Sequence, residues 1–265
     1  MISFNLKSAA KKSMTVHGLY KLARDARDVR KEEWLKLRKL RSVVKVLPNT
    51  MLPMPRLFDA YEAIATINRE GLEGDVVECG VWNGGCVGLM ALANLKQPGP
   101  KRQFHLFDSF QGLPQPSSYD LEVLSGFRRR HPELGLRDKS DSSLISIGTC
   151  VGASQAAVQD FLTKHLGIDD GDLVFHVGWF QDTIPNSTDK IREIALLRLD
   201  GDWYESTKVC LEGLYDKVVK QGFIIIDDYG TFSGCKKAVD DFFEKKNLKP
   251  AWTHSDSDCV FLRKP

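Results

Sequence analysis

Two apolar runs that stop at carboxylates constrain this chain more than any other feature. Ile194 to Leu199 runs into Asp200 and Asp202, and Phe223 to Ile226 runs into Asp227 and Asp228. An apolar run that ends abruptly in acid reads as a buried strand whose carboxyl end opens on a site. Between them, Ser206 to Gln221 places Val209, Leu211, Leu214 and Val218 at roughly helical spacing. Strand, helix and strand in succession make the two strands parallel, so both acidic ends emerge on one edge of a sheet. Four carboxylates brought together repel one another and hold raised pKa values unless positive charge sits between them. A divalent cation with oxygen ligands answers that need. Helix caps and turn residues at strand ends are the other reading of the same acids.

The remaining chain extends the pattern. Asp75 to Gly80 is a strand with an acid, Glu78, near its carboxyl end, and a glycine turn and a helix follow in VWNGGCVGLMALANL. Gly80, Gly84 and Gly85 suit a tight turn that lets backbone approach a ligand, although the spacing is not GxGxxG and a purely structural turn explains it equally. Gln103 to Phe107 is a second strand ending in Asp108, at about the distance from the glycine turn at which a doubly wound fold sets an acid against a ribose. Residues 111–152 are polar and read as a long excursion, or lid, over the site. Beyond it come a helix at Ser154 to Leu166, a strand at Leu173 to Val177, a helix at Ser233 to Lys246, and a terminal pair of short strands near Trp252 and at Cys259 to Leu262.

Charge divides the chain in two. Residues 1–48 carry 13 Lys/Arg and 4 Asp/Glu, and the rest carries 24 and 31. A basic arm on a mildly acidic body does not read as a nucleic-acid binder. Apolar residues recurring from Leu19 to Val44 predict amphipathic helices in that arm, and Pro48, Pro53 and Pro55 mark a break after it. The expected organisation is a basic helical extension over 1–50 and one catalytic domain over 51–265, with exchange of arms in a homo-oligomer. The six cysteines lack zinc-knuckle spacing and mostly sit in or beside apolar runs, which predicts reduced thiols and a cytoplasmic protein. An acid-free start through Arg24 is the slender case for a transit peptide instead. No run is apolar and long enough for a membrane span.

Five stretches, GDVVECGVWNGG, LFDSFQGLP, GWFQDTIP, LRLDGDWYEST and IIIDDYG, in that order, resemble the macrocin O-methyltransferase family of TylF/MycF-like sugar O-methyltransferases. The resemblance covers roughly residues 50–245. It implies a Rossmann-like class I methyltransferase, with a seven-stranded, mostly parallel sheet and helices on both faces. It also implies S-adenosylmethionine as donor, a divalent cation (usually Mg2+), and a small-molecule acceptor such as a glycosylated metabolite. By motif, Glu78 and the turn holding Gly80, Val81, Trp82, Gly84 and Gly85 would border the methionine end of the donor. Asp108, with Ser109, would take the ribose, and Phe180, Gln181 and Asp182 would lie near the adenine. Asp200, also close to the donor, would ligate the cation with Asp227 and Asp228, and Asp202 would be the general base. His131, in the excursion, is a second catalytic candidate, with a surface or substrate-contact role as its alternative. Trp203 and Asn83 carry no functional signal.

The chemistry is coherent with that set. A sulfonium donor is already activated, so the protein must align two reactants and remove a proton. A sugar hydroxyl is a poor nucleophile at neutral pH, and an ordinary aspartate, with a pKa of about 4, is a weak base for it without a cation's help. Three other readings compete. Asp200-Gly-Asp202 mimics the nucleophile of a haloacid-dehalogenase-like phosphatase, but it falls late in the chain and leaves ECGVWNGG unexplained. A catechol-type O-methyltransferase would use a comparable cation site. A non-catalytic scaffold would dock through the basic arm.

Overall fold

A computed structural model describes residues 37–120, 136–138, 144–147 and 152–265, the two short internal stretches by their backbone alone. The expected helices before Leu37, most of the excursion, Cys150 and His131 lie outside the described residues.

Seven strands form one sheet: β1 (Asp75–Cys79), β2 (Phe104–Asp108), β6 (Leu173–Val177), β7 (Ile194–Leu199), β8 (Val218–Ile226), β9 (Thr253–His254) and β10 (Val260–Arg263). Their order is β6-β2-β1-β7-β8-β10-β9. The five from β6 to β8 are parallel, and β10 runs antiparallel to both β8 and β9. β1 and β7 therefore sit side by side at the centre. The strand order reverses there, where open α/β sheets place their ligand crevice. A separate three-stranded sheet, β3 (Leu113–Pro114), β5 (Leu144–Ile147) and β4 (Leu136–Asp138), lies within the excursion. These strands depart from the excursion expected there, in a stretch too polar overall to announce them.

Strand parity sorts the core into two faces. Val76, Leu106, Leu196 and Ile225 point to one side, under α1 (Leu37–Val46), α2 (Met54–Arg69), α3 (Gly85–Leu95) and α4 (Gln155–Asp160). Val77, Phe107, Leu197 and Ile224 point to the other, against α5 (Phe180–Ser187), α6 (Tyr204–Leu214) and α7 (Ser233–Lys245). Both faces are covered, which is why β7 reads as a continuous apolar run rather than an alternating one. The expected helix from Ser206 to Gln221 is too long at its end. It stops at Leu214, and Val218 already belongs to β8. Two adjacent β-branched residues, Val218 and Val219, favour extended backbone. Gln221 then turns left-handed, at φ 64°, in a bulge that shifts the β7–β8 register.

One residue in β7 breaks the apolar run. Arg198 is 2% exposed, and its cross-strand neighbours are Glu78 and Ile225. Its guanidinium donates to Glu78 Oε1 at 2.8 Å, to Asp227 Oδ1 at 2.7 Å and lies 2.9 Å from Asp200 Oδ2. It thus bonds to the carboxyl ends of β1, β7 and β8 at once. Asp227 is shared with Arg56 of α2, which also holds Asp256 and Asp258 of the loop before β10. On the far side of the sheet centre, His105 Nδ1 and His176 Nε2 are 3.0 Å apart, and the ring of His176 stacks on Phe107. Burial first, and then His105, push the His176 imidazole down to about 4.

Two measurements check this picture. Arg198→Met takes the guanidinium away from buried Glu78 and from Asp200 and leaves Asp227 to Arg56 alone, which costs about 3–5 kcal/mol and is read from the denaturant midpoint. His176 is held neutral in the fold, whereas the unfolded chain takes up its proton below about 6.5. Stability therefore falls as pH drops from about 6.5 toward 4, and His176→Gln flattens that part of the melting-temperature profile.

Candidate active site

A cleft of about 840 Å3, counted out to its mouth, opens at the carboxyl ends of β1, β2 and β7. Gly80, Trp82, Asp108 and Ser109 form one wall. Phe180 and Gln181, at the start of α5, form a second, and Asp200, Gly201, Asp202 and Ser206 line the side beneath β7.

The glycine turn is built for close approach. Gly80 has φ 89°, and a Cβ there would fall 1.9 Å from the carbonyl oxygen of Asp200, so no side chain fits between the ends of β1 and β7. Asp108 binds the turn from β2: Oδ2 accepts the amides of Val81 and Trp82 at 2.7 and 3.0 Å, and Oδ1 accepts that of Phe110 at 2.7 Å. Trp82, Phe110 and Asp202, all on the cleft wall, are left-handed at φ 50°, 53° and 57°. Such conformations cost about 1–3 kcal/mol each and persist where the surroundings impose them, often at functional sites.

Several expected donor contacts are not on the cleft wall. Glu78 lies beneath it, 1% exposed, with Oε1 on Arg198 and Oε2 without a hydrogen-bond partner. Burial raises its carboxyl to about 7 despite Arg198. Val81 is buried and presents its amide to Asp108, not to the cleft. Gly84 and Gly85 serve packing. A Cβ on Gly84 would meet Val158, and one on Gly85 would meet the carbonyl of Asn49 at 2.4 Å. Asp182 falls in the first turn of α5, outside the lining.

The acids regroup relative to expectation. Asp200, Asp202 and Asp228 each offer an oxygen, all within 4.8 Å of one another. Asp227, expected as a cation ligand, instead spends one oxygen on Arg198 and the other on Arg56. Adjacent strand residues face opposite sides, and Asp227 shares the parity of Ile225, which points under α2. Asp228 leaves the opposite way, and its Oδ2 is buried with no partner. Asp202, expected as the general base, joins the cluster, and its backbone is left-handed at φ 57°. Burial raises all three carboxyls, and each is raised further by acidic neighbours: Asp200 by Asp227, Asp202 by Asp200, Asp228 by Asp202. Hard oxygen donors, raised affinity for positive charge and an orphaned oxygen suit a small divalent cation.

Five contributors carried little or no signal in the sequence. Arg198 was legible in principle, since a charge inside IALLRLD must be paired if the strand is buried. Arg56 gave no such signal. Asn83 accepts the amide of Ala153 at 2.6 Å and, through its carbonyl, the side-chain amide of Asn49, joining the glycine turn to the far end of the excursion. Trp203 is 1% exposed and donates from Nε1 to the carbonyl of Pro114 at 3.0 Å. Asp120 accepts from the amide of Tyr204 at 3.0 Å.

The phosphatase reading fails on topology, because Asp200-Gly-Asp202 follows β7 in a sheet whose first strand carries a glycine turn of its own. Among the described residues no helix is long and apolar enough to cross a membrane. The chain is 30% identical over 215 residues to the 8-demethyl-8-(2,3-dimethoxy-alpha-L-rhamnosyl)-tetracenomycin-C 4'-O-methyltransferase of Streptomyces olivaceus, covering 81% of this chain and 75% of that protein. It is 31% identical over 218 residues to the demethyldecarbamoylnovobiocin O-methyltransferase of Streptomyces niveus, covering 82% and 76%. Its fold superposes on the O-methyltransferase NovP with a TM-score of 0.67 at 30% identity over 82% of each chain. It also superposes on the calicheamicin methyltransferase CalS11, with a TM-score of 0.63 at 17% identity, covering 99% and 94%. The model of the macrocin-O-methyltransferase (TylF) family matches residues 6–264. The chain is an O-methyltransferase with a class I, Rossmann-like fold and belongs to the macrocin-O-methyltransferase (TylF) family.

Proposed function

We propose that this enzyme methylates a hydroxyl of a sugar on a glycosylated small molecule, with S-adenosylmethionine as donor and a divalent cation held by Asp200, Asp202 and Asp228. The observation that carries the reading is the convergence of those three carboxylates from two sheet ends, Asp200 and Asp202 on the cleft wall and Asp228 buried beside them with an orphaned oxygen. The relatives favour the sugar: one of their names specifies a rhamnosyl group and another, from Micromonospora griseorubida, a mycinamicin III 3''-O-methyltransferase. A catechol-type acceptor is the second reading, because a ring diol offers the same pair of oxygens.

On this reading the donor lies along the glycine turn. Asp108 keeps acceptor capacity for ribose hydroxyls beside the three amides it already binds, since a carboxylate offers about four lone-pair sites. Phe180 offers a face for the adenine. Bound at the three acids, a divalent cation supplies Lewis acidity and orientation at the acceptor hydroxyl. Asp202 lines the cleft and has two oxygens, so one can serve the cation and the other receive the hydroxyl's proton. Holding donor and acceptor near in-line geometry is the larger part of the task for an activated methyl group. Residues 1–50 as a basic helical extension whose last helix, α1, packs on the sheet, 51–265 as the catalytic domain with the 111–152 excursion as its lid, arm exchange in a homo-oligomer and a cytoplasmic setting complete the proposal.

The ligand set has a direct test. Asp228→Asn and Asp227→Asn each remove one negative charge, so the difference between them isolates ligation. Asp228→Asn weakens Mn2+ binding by at least about tenfold, measured by electron paramagnetic resonance, and Asp227→Asn weakens it less while lowering the melting temperature more. The reverse order returns Asp227 to the cation. Activity is checked on a panel of glycosylated and catechol acceptors. Transfer from labelled donor to a sugar hydroxyl, abolished by EDTA and restored by Mg2+, is expected. With Asp202→Asn at saturating Mg2+, turnover falls by about 100-fold or more.

A further inference from the structure

The start of the excursion carries a buried carboxylate that the reaction does not use. Asp120 is 1% exposed and forms no ion pair among the described residues. Its Oδ2 accepts the amide and hydroxyl of Ser117 at 2.8 and 2.6 Å, and its Oδ1 accepts the amide of Tyr204 at 3.0 Å. Tyr204 is the first residue of α6. The same Oδ1 presses on α7, where a Cβ added to Gly234 would fall 1.7 Å from it. Gly234 is the second residue of α7. The carboxylate is therefore wedged between the amino ends of two helices, whose partial positive charges compensate it in place of a cation.

Those two helices matter because of what precedes them. α6 begins two residues after Asp202, and α7 begins five residues after Asp228. The loop into α7 is tight, since Thr231 and Phe232 both donate their amides to the carbonyl of Asp228. Moving the start of either helix moves an acid of the cluster. Neighbouring contacts add to the wedge: Ser233 Oγ donates to the carbonyl of Tyr119 at 3.3 Å, and the rings of Tyr119 and Tyr204 lie 4.4 Å apart.

We propose that Asp120 is a positioning residue that sets the spacing between the Asp202 loop and the Asp228 loop, and so couples the excursion to the geometry of the cation site. The inference rests on the cation reading given above. It also explains why Gly234 has no side chain: the space for one is occupied by Asp120.

Two variants separate position from charge. Asp120→Asn removes the charge and keeps an oxygen for the Tyr204 amide, at the expense of the bond from the Ser117 amide, while Ser117 Oγ reorients as acceptor. Gly234→Ala keeps the charge and denies Asp120 its place, while alanine favours the helix itself by about 1 kcal/mol relative to glycine. Mn2+ binding to the full chain is measured alone, S-adenosylhomocysteine binding is measured by calorimetry, and exchange of the Tyr204 amide is followed by mass spectrometry. Gly234→Ala is expected to weaken Mn2+ binding about tenfold and Asp120→Asn less than about threefold, with Tyr204 exchanging faster in Gly234→Ala only. S-adenosylhomocysteine affinity is expected to stay at the wild-type value in both. Wild-type Mn2+ affinity in Gly234→Ala overturns the inference, as does an equal loss in Asp120→Asn, which makes the effect one of charge. A parallel loss of S-adenosylhomocysteine in Gly234→Ala overturns it too, as general loosening. A wild-type protein that binds no Mn2+ overturns the cation reading and this inference together, whereas the other outcomes leave the cation reading standing.

Discussion

The guanidinium of Arg198 is the interaction on which the rest of the site depends. It lies in the most buried strand of the sheet and contacts carboxylates on β1, β7 and β8. A buried ion pair gains little net stability over apolar packing, but losing one partner is costly because the others are left desolvated and unpaired. Arg198 is therefore better understood as a constraint than as glue. Its planar fork accepts the carboxylates in few arrangements, and each arrangement fixes where a strand ends. Glu78 is held down beneath the glycine turn, and Asp227 is drawn away from the cleft. Asp200, touched from below, keeps its outer side for the cluster.

Arg56 extends the constraint to the outside of the fold. It carries the charge ladder from Asp227 to Asp256 and Asp258, so the helix before β1 and the loop before β10 share one set of ion pairs. Gly230 closes the same junction. A Cβ there would meet the carbonyl of Ser257 at 2.2 Å. The turn that delivers Asp228 is thus clamped by residues far away in sequence. The chemistry demands such clamping, because an acid cluster that repels itself opens unless its supports are rigid.

What could be read from the residues follows from how local each signal is. The apolar runs, the acids at their ends and the order of the motifs are local, and they led to β1, β2, β6, β7 and the family. The end of α6 was misplaced because Val218 continues a helical spacing as readily as it starts a strand, and only pairing with Ile194 decides it. The assignment of Asp227 and Asp228 was beyond local reading for a sharper reason. Two adjacent acids are indistinguishable in sequence, and their fates were set by Arg56, about 170 residues earlier, and by strand parity. Asn83 and Trp203, silent in the sequence, find polar partners in or beside the excursion and, for Asn83, in the linker.

The charge balance of the centre points to one further consequence. Arg198 and Arg56 are fully engaged by the acids beneath and beside the cleft, and nothing basic among the described residues is paired with Asp202 or Asp228. The cleft side of the cluster therefore carries excess negative potential at the place where two cationic species must meet on the proposed reading, a divalent ion and a sulfonium. In a site partly shielded from water such potential is worth much more than at the surface. It favours the positively charged donor over the neutral thioether that remains after transfer. On the proposed reading, the acids that would gather the cation would also bias the site toward releasing its spent donor, which would link the geometry of the cluster to the direction of turnover.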